Sequence, residues 1–179
     1  MKKNNQTLVF ILLLLISAAF TFLPVDHYIV SDGYKMNFKS KDPSGSFSKM
    51  GGDIYFNDSD LANSKFDLFI DVSSISTGNG MQNKKAQTAE WFNATAYPKI
   101  KFVSTKVVKN GNDYSITGNL TIKGTTKVVT IPAKKTTSGN RVIFEGTFGV
   151  DRLLFQVGKK GAGVSDVMNV TYYIPATKN

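Results

Sequence analysis

A chain of 179 residues makes one domain with at most a short appendage, and having no cysteine excludes a disulfide framework and any thiolate site. The formal charge of +9 comes from lysines spread along the chain, with doublets at Lys84-Lys85, Lys134-Lys135 and Lys159-Lys160. Such a charge describes a solvated positive exterior or one that attracts anionic head groups. No basic-aromatic motif accompanies it, so nucleic acid is not an expected partner.

Lys2 and Lys3 precede an apolar run from Leu8 to Phe20 that only Ser17 interrupts, and Ser17-Ala18-Ala19 offers small residues for cleavage. Residues 1–21 therefore read as a secretory signal peptide cut near Ala19, with an uncleaved anchor as the alternative. Residues 22–179 are the expected domain, exported to the periplasm or beyond the cell. Its charge is +7 once Lys2 and Lys3 have left.

His27–Val30 is a short strand, and Tyr34, Met36 and Phe38 alternate with lysine and asparagine in a better one. Phe47–Phe56 is extended, with Ile54 and Phe56 on one face. Gly51-Gly52 inside it predicts a bulge or sharp bend. Phe66, Leu68, Ile70 and Val72 share a face of the next strand, which Thr77-Gly78-Asn79-Gly80 ends. Met81–Phe92 is the one helical stretch, polar for most of its length. Trp91, Phe92 and Tyr97 after it are expected to plug one end of the fold. Pro98 restarts extended chain with Ile100 and Phe102 facing in.

Tyr114–Pro132 is the clearest stretch of all. Ile116, Gly118, Leu120 and Ile122 alternate with polar residues, Gly124-Thr125 breaks the run, and Lys127–Ile131 resumes it, which describes an antiparallel hairpin. Thr137–Asn140 turns the chain again. Val142, Phe144, Gly146, Phe148 and Val150 then share one face, and Asp166–Ile174 is the last strand. About eight strands joined mostly by short turns predict an all-β, antiparallel up-and-down barrel with one inserted helix. A barrel of that size is filled by side chains or holds one slender ligand.

Three segments give the chain a likeness: FDLFIDVSSISTGN at Phe66–Asn79, EWFNATAYPKIKFVST at Glu90–Thr105, and YSITGNLTIKGTTKVVTIP at Tyr114–Pro132. In this order, from about Tyr34 to Ala176, the chain resembles the YceI-like family. These are exported, lipocalin-like barrels that bind isoprenoid or other long-chain lipids. The family commonly carries R-x-DFG after the penultimate long strand. Here Arg152 and Phe155 remain, but Leu154 stands for the acid and Gln156 for the glycine.

The resemblance implies a long-chain lipid, isoprenoid or fatty acyl, as the partner inside the barrel. An anionic membrane surface is a second candidate partner, and a homodimer is left open. The expected ligand-facing residues are Met36, Phe38, Ile54, Phe56, Leu68, Ile70, Ile100, Phe102, Ile116, Gly118, Leu120, Phe144, Gly146 and Phe148. Gly118 and Gly146 either leave room in the lumen or mark strand curvature. Arg152 continues the parity of Phe148 and Val150, and so is a candidate head-group contact. A structural ion pair with Asp151, Asp166 or Glu145 is its alternative role. No catalytic residue, metal or cofactor is expected. His27 is the only histidine, strand acids such as Asp67 and Glu145 fall on polar faces, and no phosphate-binding glycine loop leads a helix. A filled barrel with a structural or partner-binding role in the cell envelope is the second reading.

Overall fold

A computed structural model describes residues 24–40 and 43–179, so the leader and its cleavage site lie outside the described residues. The strands are β1 (Asp26–Val30), β2 (Lys35–Lys39), β3 (Ser44–Phe47), β4 (Met50–Phe56), β5 (Lys65–Asp71), β6 (Ile75–Ser76), β7 (Lys99–Asn110), β8 (Asp113–Ile122), β9 (Thr125–Ser138), β10 (Arg141–Asp151) and β11 (Val167–Lys178). The helix α1 is only Gly80–Gln87, so Trp91 and Phe92 lie in the turns after it rather than within it.

Every pairing is antiparallel, and β1 against β11 closes the sheet on itself. The short strands merge end to end: β1 and β2 both pair with β11, β4 and β3 pair with β1 and β2, and β5 and β6 continue the next position. Eight staves result, each beside its neighbour in the chain. Closure pairs the first and last staves, and among the described residues β9 and β10 are the neighbours that part along their length.

Glycines mark where neighbouring backbones of this wall come close. Gly52 has φ +135°, and a Cβ there would lie 2.1 Å from the carbonyl oxygen of Asp67. Opposite Gly118 the β7–β8 register shifts between Ser104 and Lys106, a bulge that frees Ser104 Oγ to accept from Phe66 N at 2.8 Å. A Cβ on Gly118 would come within 2.5 Å of the Val103 carbonyl oxygen, and Phe102 already fills the space beside it. Gly118 therefore corrects the expectation of lumen space: it is a close approach of two backbones.

Gly146 is corrected in the same way. β9 and β10 pair only from Arg141–Glu145, against Lys134–Ser138, and then part. Across the opening, Tyr172 Oη donates to the Pro132 carbonyl at 2.6 Å, and a Cβ on Gly146 would sit 2.3 Å from that same oxygen.

One end of the barrel is solid. Phe56 meets Phe66, Tyr114 and Phe144 edge to face at 6.2, 5.4 and 5.2 Å, and Phe66 meets Phe144 at 4.9 Å. Such pairs add to the area they bury. Outside them Asp58 accepts from Tyr114 Oη and pairs with Lys135. Burial opposes the Asp58 charge, but hydrogen bonds from Lys135 and Tyr114 outweigh it and hold the carboxyl below its ordinary range. Burial and the bond to Asp58 push Tyr114 up to about 12.

Candidate functional site

The other end is hollow. A cavity of about 480 Å³ runs inward from it, within the range of small-molecule sites. Its wall is built by the inward faces that the alternation predicts. Met36 and Phe38 of β2, Leu68 and Ile70 of β5, Ile100 and Phe102 of β7, Ile116 and Leu120 of β8, and Phe144 and Phe148 of β10 all line it. Phe66 and Phe144 also belong to the aromatic cluster, so they form the floor.

Ile54 and Phe56 face inward as expected, yet they lie in the solid end and do not border the cavity. Parity tells inside from outside but not height along the barrel axis. Conversely, Met168, Val170, Tyr172 and Ile174 of β11 line the cavity without having been singled out. Their period of two was the available signal.

The mouth is framed by α1 and the 156–165 loop. Asn79 Oδ1 caps the helix, accepting from Met81 N at 2.9 Å and Gln82 N at 3.3 Å, and Thr77 donates its backbone N–H and hydroxyl to Asn83 Oδ1, both at 2.8 Å. The TGN segment is thus a helix cap. It fixes a helix that buries none of its own residues but brings Gln82, Lys85 and Ala86 to the rim. Trp91 and Phe92 stand beside them, closing part of that end while also lining the cavity. Tyr97 lies outside, its ring over Gly124.

Trp91 is the rim's central side chain. Its six-membered ring edge rests on Gly158, where a Cβ would come within 2.8 Å. Lys85 Nζ lies 5.7 Å from the ring centroid and Arg152 Cζ 5.6 Å, both within cation–π range. Trp91 Nε1 is buried and meets no acceptor among the described residues. An unmatched buried donor costs about 1–3 kcal/mol.

Arg152 lines the cavity, but not as the continuation of a strand. β10 ends at Asp151, whose carboxylate accepts from Leu153 N at 2.9 Å and starts a 3₁₀ turn over Arg152–Phe155. Inside the turn the guanidinium is largely spoken for. Nε donates to the Ser165 carbonyl at 3.0 Å and Nη1 to Val157 at 2.8 Å. Nη2 is shared among the Lys159 and Val164 carbonyls, each at 3.0 Å, and Asp166 Oδ1 at 3.1 Å. Of the acids considered, Asp166 is its partner. The arginine gathers the 156–165 loop around itself. Gln156 ends the turn at φ +58°, a left-handed conformation that glycine adopts at less cost.

Among the described residues no group of three or more His, Asp or Glu side chains is placed to hold a metal ion, and no helix is long and apolar enough to cross a membrane.

The YceI-like domain matches residues 21–176. This chain belongs to the YceI-like family. It is 38% identical over 96 residues to a UPF0312 protein of Yersinia pestis and 39% identical over 90 residues to one of Pectobacterium carotovorum, in each case about half of either chain. The chain thus spans about half the length of the curated relatives it matches. Among solved structures, BcnA of Burkholderia cenocepacia superposes with a TM-score of 0.76 at 31% identity, over 80% of this chain and 96% of that one. A polyisoprenoid binding domain from Saccharophagus degradans superposes at 0.66 and 14% identity, over 87% and 99%, which shows the shared fold.

Proposed function

We propose that this protein is an exported carrier that holds one long-chain lipid, isoprenoid or acyl, tail-first in the barrel. The observation that carries the reading is the cavity. About 480 Å³ of space, walled by apolar and aromatic side chains and closed by an aromatic floor, suits a hydrocarbon chain. Transfer of such a chain from water gains about 25 cal/mol per Å² buried, before the costs of ordering it. A filled structural barrel would have no such space. Membership of the YceI-like family and the name of the Saccharophagus degradans neighbour support the same reading.

The polar end of the lipid belongs at the rim. Lys85, over the Trp91 ring, supplies a positive charge there for an anionic or strongly polar head group. Arg152, with its donors committed to the loop and its charge paired with Asp166, shapes this rim.

Trp91 is the chain's single tryptophan, so it reports on the site without a label. Titration with a long-chain lipid should change its emission and saturate at one lipid per protein. A linear, unsaturable response, or none, would contradict the carrier. Export is tested by N-terminal sequencing of the mature protein, which should begin near residue 20. A chain still starting at Met1 would favour the anchored form.

A further inference from the structure

The loops at the two barrel ends carry opposite charge. Between strands at the mouth, residues 77–98, 123–124 and 152–166 hold Lys84, Lys85, Lys123, Arg152, Lys159 and Lys160 against Glu90 and Asp166, a net charge of +4. The loops of the solid end, residues 57–64, 111–112 and 139–140, hold only Asp58 and Asp60, a net −2, and Lys135 of the adjoining strand pairs with Asp58. Arg152 and Asp166 pair with each other at the mouth, and Lys123 Nζ is held by the Glu90 and Gln156 carbonyls at 3.1 and 2.8 Å. Lys84, Lys159 and Lys160 are exposed, and no ion pair among the described residues holds any of them.

Exposed apolar side chains belong to the same connecting segments. Met81, on the first turn of α1, is 79% exposed, and Leu154, in the 3₁₀ turn, is 55% exposed. Neither packs on the core. Leu154 occupies the position where the family motif carries an acid. Exposed large apolar side chains in net-basic segments around a cavity mouth mark a surface that meets something both apolar and anionic.

We propose that the mouth docks on an anionic lipid bilayer, with Met81 and Leu154 entering the interface and Lys84, Lys159 and Lys160 meeting head groups. Two features select a bilayer. The charge complements an anionic surface, and the apolar cavity opens on the same face. Docking would place that opening against the hydrocarbon, so a lipid tail could enter or leave without crossing water. The proposal rests on the carrier reading and adds where the cargo is exchanged.

The test is flotation with vesicles of phosphatidylcholine, with and without phosphatidylglycerol, using the full mature protein. Each lysine near an anionic surface is worth about 1 kcal/mol, or about fivefold in affinity. The Lys84→Gln/Lys159→Gln/Lys160→Gln variant should therefore bind anionic vesicles about a hundredfold more weakly. Met81→Ser/Leu154→Ser should also bind more weakly, with the remaining binding abolished by salt. Lys106→Gln/Lys109→Gln, toward the solid end, removes charge without touching the mouth and should bind like the wild type.

Wild-type protein that ignores anionic vesicles overturns the proposal and leaves the patch to a protein partner. Equal losses from both lysine variants overturn it too, because they would mean attraction by net charge alone. Trp91 titration with monomeric lipid, run in parallel, keeps the two readings apart. Cavity binding without vesicle binding removes the docking only, whereas vesicle binding with an empty cavity removes the carrier.

Discussion

At the solid end of the barrel four aromatic rings meet edge to face, and Asp58, Tyr114 and Lys135 seal them from outside. At the mouth the same kind of alternating strand faces an empty space, and the covering parts are a helix with no buried residue and a loop gathered on one arginine. The difference teaches that inward parity is only the first condition for a binding site. The second is that no opposing side chain fills the space. The solid end supplies stability, so the mouth can leave its apolar surface for a ligand.

Arg152→Met breaks the mouth most severely. It keeps the stem but leaves the Ser165, Val157, Lys159 and Val164 carbonyls and Asp166 without their donors. Removing one member of such a buried network costs about 3–5 kcal/mol. The melting temperature should fall, and carboxylated and neutral lipids of equal length should both bind more weakly. A loss confined to the anionic lipid would instead make Arg152 a direct head-group ligand.

The next pair of variants sets the two ends against each other. Phe56→Ala removes the ring common to three of the four aromatic contacts and should cost about 3–4 kcal/mol, with lipid affinity unchanged in the protein that remains folded. Leu120→Trp, in the cavity wall, fills space instead of vacating it. It should weaken lipid binding at least tenfold while moving the melting temperature little. If both substitutions altered stability and affinity alike, the division into a solid end and an open one would fail.

Gly118→Ala should destabilise by about 1–3 kcal/mol, since its Cβ must displace the backbone at Val103 and Ser104. Calorimetry showing a neutral change would return Gly118 to the lumen. This residue shows where the sequence stops being legible. A glycine in an inward row is equally the sign of spare room and of two backbones too close for a side chain, and only the partner strand distinguishes them. The eight staves and most of the cavity wall were legible because period two survives in β2, β5, β7, β8 and β10. Arg152 was misplaced by extending that period past Asp151, where a capping carboxylate starts a turn instead. The unmatched proton of Trp91 had no signature in the sequence, because it depends on which acceptors the fold keeps away.

Two smaller effects refine the contrast. Gln156→Gly should stabilise the mouth by about 1 kcal/mol, as a left-handed residue loses its Cβ strain. At the solid end, the lowered Asp58 value gives the pH dependence its sign. The stability from the Asp58 charge is complete above the ordinary carboxylate range and is lost as pH falls through the folded value. The gap in melting temperature between wild type and Asp58→Asn should therefore be constant near neutrality and shrink in acid. A gap that widens in acid would contradict the assignment.

Native mass spectrometry of the protein purified without detergent from its own cells tests the cavity's role most directly. The carrier account predicts a mass in excess of the polypeptide by one lipid, released on organic extraction and recovered as a long-chain molecule. A bare polypeptide mass, in protein that also refuses added long-chain lipid, would contradict it.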